Sequence, residues 1–265
     1  MGRAKDIIVK VIPAKVANEF VKKHHYSGTV SNTSKLHFGC FLQEQLHGVM
    51  SYGSPMDKSK VIGLVSQTKW NEMLELNRMV FDSFMPKNSE SRSISISIKL
   101  IKKYAPHIKW ILSYSDAVQC GDGTIYRASG FQLTQIKEST QIIELPWGER
   151  ITRMTLTNVG DRRREVTLNR LGINDNGSAS IKMIINAGAK NVSGFQNRYI
   201  YLIDKSCKLT VPIIPFSKID ELGAGMYKGK KISIAERRKH AAIEQGSSPG
   251  IQPGGGGHTD LAAQS

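Results

Sequence analysis

The chain is 265 residues long, which suits one large domain, or one domain with appendages, and a sizeable core. Lys and Arg number 37 against 22 Asp and Glu, a formal charge of +15. That balance implies an anionic partner, either nucleic acid or an anionic membrane surface. No run of ~18 apolar residues is present to span a bilayer. The N-terminal stretch lacks the apolar segment of a signal peptide, and Asp6 stands where a myristoylation signal needs Ser or Thr. The expectation is therefore a cytoplasmic protein, with nucleic acid as the favoured partner. Cys40, Cys120 and Cys207 are odd in number and lack zinc-ligand spacing, so they are expected to be packing thiols.

Residues 7–12 are β-branched and apolar and predict an edge strand ended by Pro13. Residues 14–23 predict a helix with Val16, Phe20 and Val21 on one side. Residues 36–42 and 47–52 form an expected hairpin around Gln43-Glu44-Gln45. Residues 53–73 are polar and carry no clear periodicity. Residues 74–84 read as a strand that holds Arg78 and is broken by Pro86. Asn88 is placed to cap a helix over 88–104. The alternation of Ile94, Ile96 and Ile98 argues for a strand there, while Leu100-Ile101 and the closing Lys102-Lys103 favour the helix. Residues 108–113 read as a buried strand with Asp116 just beyond it. A short helix is expected over 124–129, stopped by Gly130, and then two strands over 131–145 with a turn near Glu138-Ser139-Thr140. The second half is basic, with arginines at 150, 153, 162, 163, 164 and 170 and further cations at 228–231 and 237–239. It contains an expected helix over 178–187, a strand over 199–203, and an extended segment over 210–216 interrupted by Pro212 and Pro215. From Gly246 onward Gly, Ser and Pro dominate, a composition expected to be disordered.

Several constellations are suited to chemistry. Asn88-Ser89-Glu90-Ser91-Arg92 opens a helix, where exposed amides, the helix dipole and serine hydroxyls make an anion site; it also fits a plain capping motif. Tyr126, on a short helix closed by Gly130-Phe131, sits where a proton donor to a leaving thiolate is found in the acyl-CoA N-acyltransferase (GNAT) fold, which the region resembles; the alternative is a buried tyrosine with a satisfied hydroxyl. Asp116 past a buried strand end can line a cleft and orient or deprotonate an amine, or can cap a turn. His24-His25-Tyr26 at a helix end offers an acid/base or metal cluster, or a histidine that merely complements the dipole. Arg78 in an apolar stretch needs an anionic partner, whether structural or substrate.

In order, His-His-Tyr-Ser-Gly, Glu-Leu-Asn-Arg, Asn-Ser-Glu-Ser-Arg, Ser-Tyr-Ser-Asp and Gly-Thr-Ile-Tyr-Arg-Ala-Ser-Gly-Phe resemble the Mom DNA modification proteins of Mu-like phages. The resemblance continues through Gly194-Phe195-Gln196, Val211-Pro212 and Gly223-Ala224-Gly225-Met226-Tyr227. It implies a GNAT-like α/β fold, a mixed and mostly antiparallel twisted sheet flanked by helices. The implied division is a catalytic core over 1–145, a basic part over 146–240 packed on or completing it, and a tail over 241–265. The implied activity is addition of a carbamoylmethyl (acetamido-like) group to adenine N6 in duplex DNA, which shields phage DNA from restriction in the host cytoplasm. The implied catalytic residues are His25, Tyr26, Arg78, Ser91, Asp116 and Tyr126. An acyl-CoA-type donor would rest on Asn88, Ser89, Ser91 and Arg92, although that stretch lacks the glycines of the usual pyrophosphate loop. Iron is an associated requirement, with His25 and Asp116 the ligands to expect.

DNA contacts fall to Arg162, Arg163, Arg164, Lys228, Lys230 and Lys231, or these form a solvated charged surface. Two other readings stay open: an N-acyltransferase acting on a small amine or a protein, and a DNA-binding protein without catalysis. The sequence leaves monomer or homodimer open.

Overall fold

The computed structural model describes residues 3–25, 27–117, 121–174, 176–227, 230–231 and 236. Ten strands and seven α-helices follow one another among these residues. Strand β1 (Ile8–Val11) leads through Pro13 into helix α1 (Ala14–His24). Strands β2 (Ser34–Leu42) and β3 (Gln45–Gly53) form a hairpin whose turn residues Gln43 and Glu44 both have positive φ, 51° and 65°. That sign of φ gives the two-residue turn the twist that matches its strands. Residues 53–73, unassigned from sequence, supply Val61, Leu64 and Val65 to a core cluster.

Strand β4 (Met73–Phe81), helix α2 (Ser89–Tyr104) and strand β5 (Trp110–Asp116) follow. The segment 88–104 is helical because its apolar and small residues fall at helical spacing: Ser89, Ser93, Ile94, Ser97, Ile98 and Ile101 are its buried residues. Asn88 does not cap with its side chain as expected; it adopts a left-handed φ of 69°, and Ser89 Oγ donates to the Pro86 carbonyl. Asp116 is the last residue of β5 rather than a residue beyond it.

Helix α3 (Thr124–Ala128) starts at Gly123. Strand β6 (Gln132–Glu144) is one strand, not the two expected. The polar run 138–140 stays in the ladder because β8 (Lys190–Leu202) runs beside it, and a register shift between Ser139 and Ile142 absorbs the irregularity. Strand β7 (Arg150–Thr152) and helices α4 (Arg153–Thr157), α5 (Arg162–Arg170) and α6 (Ile181–Asn186) lie between β6 and β8. Helix α7 (Ser217–Glu221) and a small pair, β9 (Met226–Tyr227) with β10 (Lys230–Lys231), close the described chain.

The main sheet has the order β1-β2-β3-β4-β5-β8-β6-β7. Every neighbouring pair is antiparallel except β4–β5, which is parallel. Helix α1 packs on one face with Ile12, Val49 and Val80, and α2 and α3 cover the other. This is the expected α/β arrangement of a mostly antiparallel mixed sheet with helices on both sides. Strand β8 lies between β5 and β6, so residues beyond 146 supply a central strand. The far ends of β6 and β8, with β7 and helices α4 to α6, enclose a separate apolar cluster of Ile143, Leu145, Ile151, Leu156, Leu168 and Ile184. No helix among the described residues is long and apolar enough to cross a membrane.

Candidate active site

The parallel pair gives the sheet a seam. Strands β4 and β5 pair only at Met73–Trp110, Leu74–Ile111 and Glu75–Leu112, yet β4 runs on to Phe81 and β5 to Asp116. Side-chain alternation decides which residues flank this seam on each face. On β5 and β8, Ile111 and Tyr199 join the core under α2, while Trp110, Leu112 and Ile200 join the opposite cluster. Tyr114 and its partner Arg198, then Asp116 and its partner Gln196, continue that opposite face. On β4, Leu74, Leu76, Met79 and Phe81 meet the α2 core. Asn77 is the extra residue of a bulge, since Ser51 pairs with Arg78 and Tyr52 with Leu76. Glu75 and Arg78 therefore share the α1 face with Tyr114, Arg198 and Asp116.

His25 ends α1 on this face, its backbone N–H donating to Val21 O. The Ser27 amide donates to His25 Nδ1 at 3.1 Å, and Ser27 Oγ lies 2.7 Å from the same nitrogen. Nδ1 is therefore an acceptor, and the proton of the neutral ring sits on Nε2. Burial, and then the positive charge of Arg78, hold the His25 pKa down to about 4. Arg78 Nε donates to Thr29 O at 3.1 Å and Nη1 to Asn77 O at 2.7 Å, which ties β4 to the loop after α1.

Three residues that sequence reasoning missed stand beside them. Burial pushes Glu75 up to about 7, against the pull of a hydrogen bond with Asn77 and of Arg78. Tyr114 is raised by burial and by Glu75. Arg198 is lowered by burial, and its Nε donates to Thr134 Oγ1 at 3.0 Å. The one available signal was a carboxylate and an arginine three positions apart in an apolar strand.

The other face carries the start of α2. Asn88, Ser91 and Arg92 line an open groove of about 410 Å³ with Lys5, Lys87 and Ala128. Ser91 Oγ donates to Asn88 O at 3.3 Å. Ser89, expected with this group, is fully buried and does not line the groove, because its position turns it toward the core. Tyr126 is 8% exposed on this same face, its ring 5.2 Å from that of Tyr199 and 5.5 Å from that of Phe131. The expected catalytic set is thus divided. His25, Arg78 and Asp116 lie on the α1 face, and Ser91 and Tyr126 on the α2 face. Tyr26 lies outside the described residues.

Among the described residues no three His, Cys, Asp or Glu side chains are grouped to hold a metal ion. His25 and Asp116 belong to no such donor set.

Arg162 is exposed on α5. Arg163 Nη2 donates to Thr155 Oγ1, and its guanidinium reaches the loop after α1, where a Cβ on Gly28 would lie 3.7 Å from Nη1. Arg164, expected on a DNA-facing surface, is 3% exposed; Nη1 donates to Leu156 O and Nη2 to Ala179 O. It joins α4, α5 and the segment before α6 because the Leu156 and Ala179 carbonyls there need a buried donor. Lys230 and Lys231 lie on β10, and Lys228 lies outside the described residues.

The methylcarbamoylase mom of Escherichia phage Mu is 34% identical over 161 residues, 60% of this chain and 66% of that protein, just under two thirds of its length. Among solved structures, the acetyltransferase of GNAT family from Streptococcus pneumoniae is 10% identical, covering 74% of this chain and 98% of its own, with a TM-score of 0.39. The ribosomal-protein-S18-alanine N-acetyltransferase from Escherichia coli is 6% identical, covering 75% and 94%, with a TM-score of 0.40. The profile of the Mom protein family matches residues 6–218, a span from β1 through β8 that encloses the seam and both of its faces. On that match, the chain belongs to the Mom protein family.

Proposed function

We propose that this chain transfers a carbamoylmethyl (acetamido-like) group to N6 of adenine in duplex DNA, shielding phage DNA from restriction in the host cytoplasm, with an acyl-CoA-type donor whose bond to the CH2 carbon breaks as that carbon bonds to N6. The observation that supports this most is the family span over residues 6–218, together with a relative that is named a methylcarbamoylase. The residues suited to the two reactants lie on opposite faces of the sheet. The groove at the start of α2 offers Lys5, Lys87, Arg92 and Ser91 to an anionic donor. The α1 face offers Arg78, neutral His25 and Asp116 to the acceptor.

Adenine N6 is weakly nucleophilic and stacked in the duplex, so the base must be extruded at a cost of a few kcal/mol. Contacts from Arg162, Arg163, Lys228, Lys230 and Lys231 to the phosphates offset part of that cost. In this reading Asp116 orients or deprotonates the amine, neutral His25 stands beside Arg78 on the acceptor side, and Tyr126 is the proton donor to the leaving group. The test is mass spectrometry of nucleosides from the DNA of cells expressing the chain. A deoxyadenosine carrying the added group, absent from cells with empty vector, is the expected result. Unmodified deoxyadenosine in both samples refutes the reading.

A further inference from the structure

The reaction proposed above requires a group that takes a proton from N6, a role for which Asp116 was one candidate. When N6 attacks the donor carbon, the new N–C bond forms, the donor's bond to its leaving group breaks with its electrons, and nitrogen must shed a hydrogen. We infer that Glu75 is the base that takes this proton, an assignment that rests on the functional reading of the same site.

Position is the first argument. Glu75 is the last β4 residue paired with β5, so its side chain stands where the seam begins. It is neither sealed in the core nor fully exposed. The bulge at Asn77 follows immediately, and Asn77 is itself fixed by Ser34 Oγ, which donates to its Oδ1 at 3.0 Å.

The surroundings are the second argument. Asn77 and Arg78 bear on Glu75 from its own strand, and Tyr114 bears on it from β5. Arg198 on β8 and Asp57 in the loop after β3 act on Tyr114, and His25 faces Arg78 from the end of α1. Arg78 Nε donates to Thr29 O in the loop after α1 and Nη1 to Asn77 O on its own strand. The resulting carboxyl titrates near neutrality, where a base is both largely available and strong enough to accept a proton in the transition state.

The test joins two measurements on the full chain. In cells, Glu75→Gln should lower the yield of modified deoxyadenosine by ~10²-fold or more, the range of general base catalysis. Glu75→Asp, which keeps a carboxylate, should fall between. Retention on duplex DNA and Tm should not drop in either variant. In solution, the Glu75 carboxyl carbon of ¹³C-labelled protein should titrate near pH 7. Wild-type-level modification by Glu75→Gln, or a midpoint in the ordinary carboxylate range, overturns the assignment. Lack of modified nucleoside in cells expressing the wild type overturns instead the functional reading on which it rests.

Discussion

Arg162 and Arg164 are two positions apart on α5 and are predicted to behave oppositely. Arg164→Ala leaves the carbonyls of Leu156 and Ala179 without their buried donor. Each such loss costs ~1–3 kcal/mol, so Tm should fall by several degrees. Arg162→Ala should leave Tm unchanged and reduce the salt slope of duplex binding by ~1; thermal melts and binding titrations on both variants check this. Glu75 and His25 carry opposite pH signatures. His25 sits at about 4 against its ordinary 6.5, so the unfolded chain binds the proton more readily; its contribution is whole above 6.5 and is lost as pH falls toward 4. Glu75 sits at about 7 against 4.5, so the folded chain binds the proton more readily; its contribution is whole below 4.5 and is lost as pH rises through 7. The Tm of Glu75→Gln relative to wild type should therefore climb between pH 5 and pH 8, each pKa unit being worth about 1.4 kcal/mol. A pH-independent difference would show that burial does not perturb Glu75. His25 and Arg162 were legible in the sequence, but the grouping of Glu75, Tyr114 and Arg198 was not, because they lie in three segments that meet through strand pairing.

Elements were more legible than their edges. Helix α2 was readable once Leu100-Ile101 and the closing Lys102-Lys103 were weighed above the alternation of Ile94, Ile96 and Ile98. Strand β6 was misread because Glu138-Ser139-Thr140 carries turn residues, and only the presence of β8 alongside keeps them extended. The start of α3 was legible for a physical reason that the structure sharpens. Gly123 has φ +84°, and a Cβ there would fall 2.5 Å from the Tyr199 ring. Gly123→Ala should displace α3 and with it Tyr126, lowering Tm and modification together. Tyr126→Phe removes only a hydroxyl; it should lower modification by ~10²–10⁴-fold while Tm and DNA retention persist if the tyrosine donates a proton. Lower Tm with near-normal yield per folded molecule would make it a packing residue.

At the scale of the whole molecule, the unit built on the ends of β6 and β8 has its own apolar cluster and touches the loop after α1 through Arg163. Leu168→Ala, within that cluster, should cost ~2–5 kcal/mol. Melts that show one transition falling would mean the unit unfolds with the main sheet; an added early transition would mean it unfolds alone. The excess of positive charge predicts duplex affinity that falls steeply with salt, with a slope of about 0.9 per phosphate contacted. The parallel pairing of β4 and β5 over three positions has a consequence for local opening. Beyond Glu75 and Leu112, β4 is paired with β3 and β5 with β8, and the two no longer bond each other. Amides that face the seam over 76–81 and 113–116 should therefore exchange faster with solvent than those at the three paired positions.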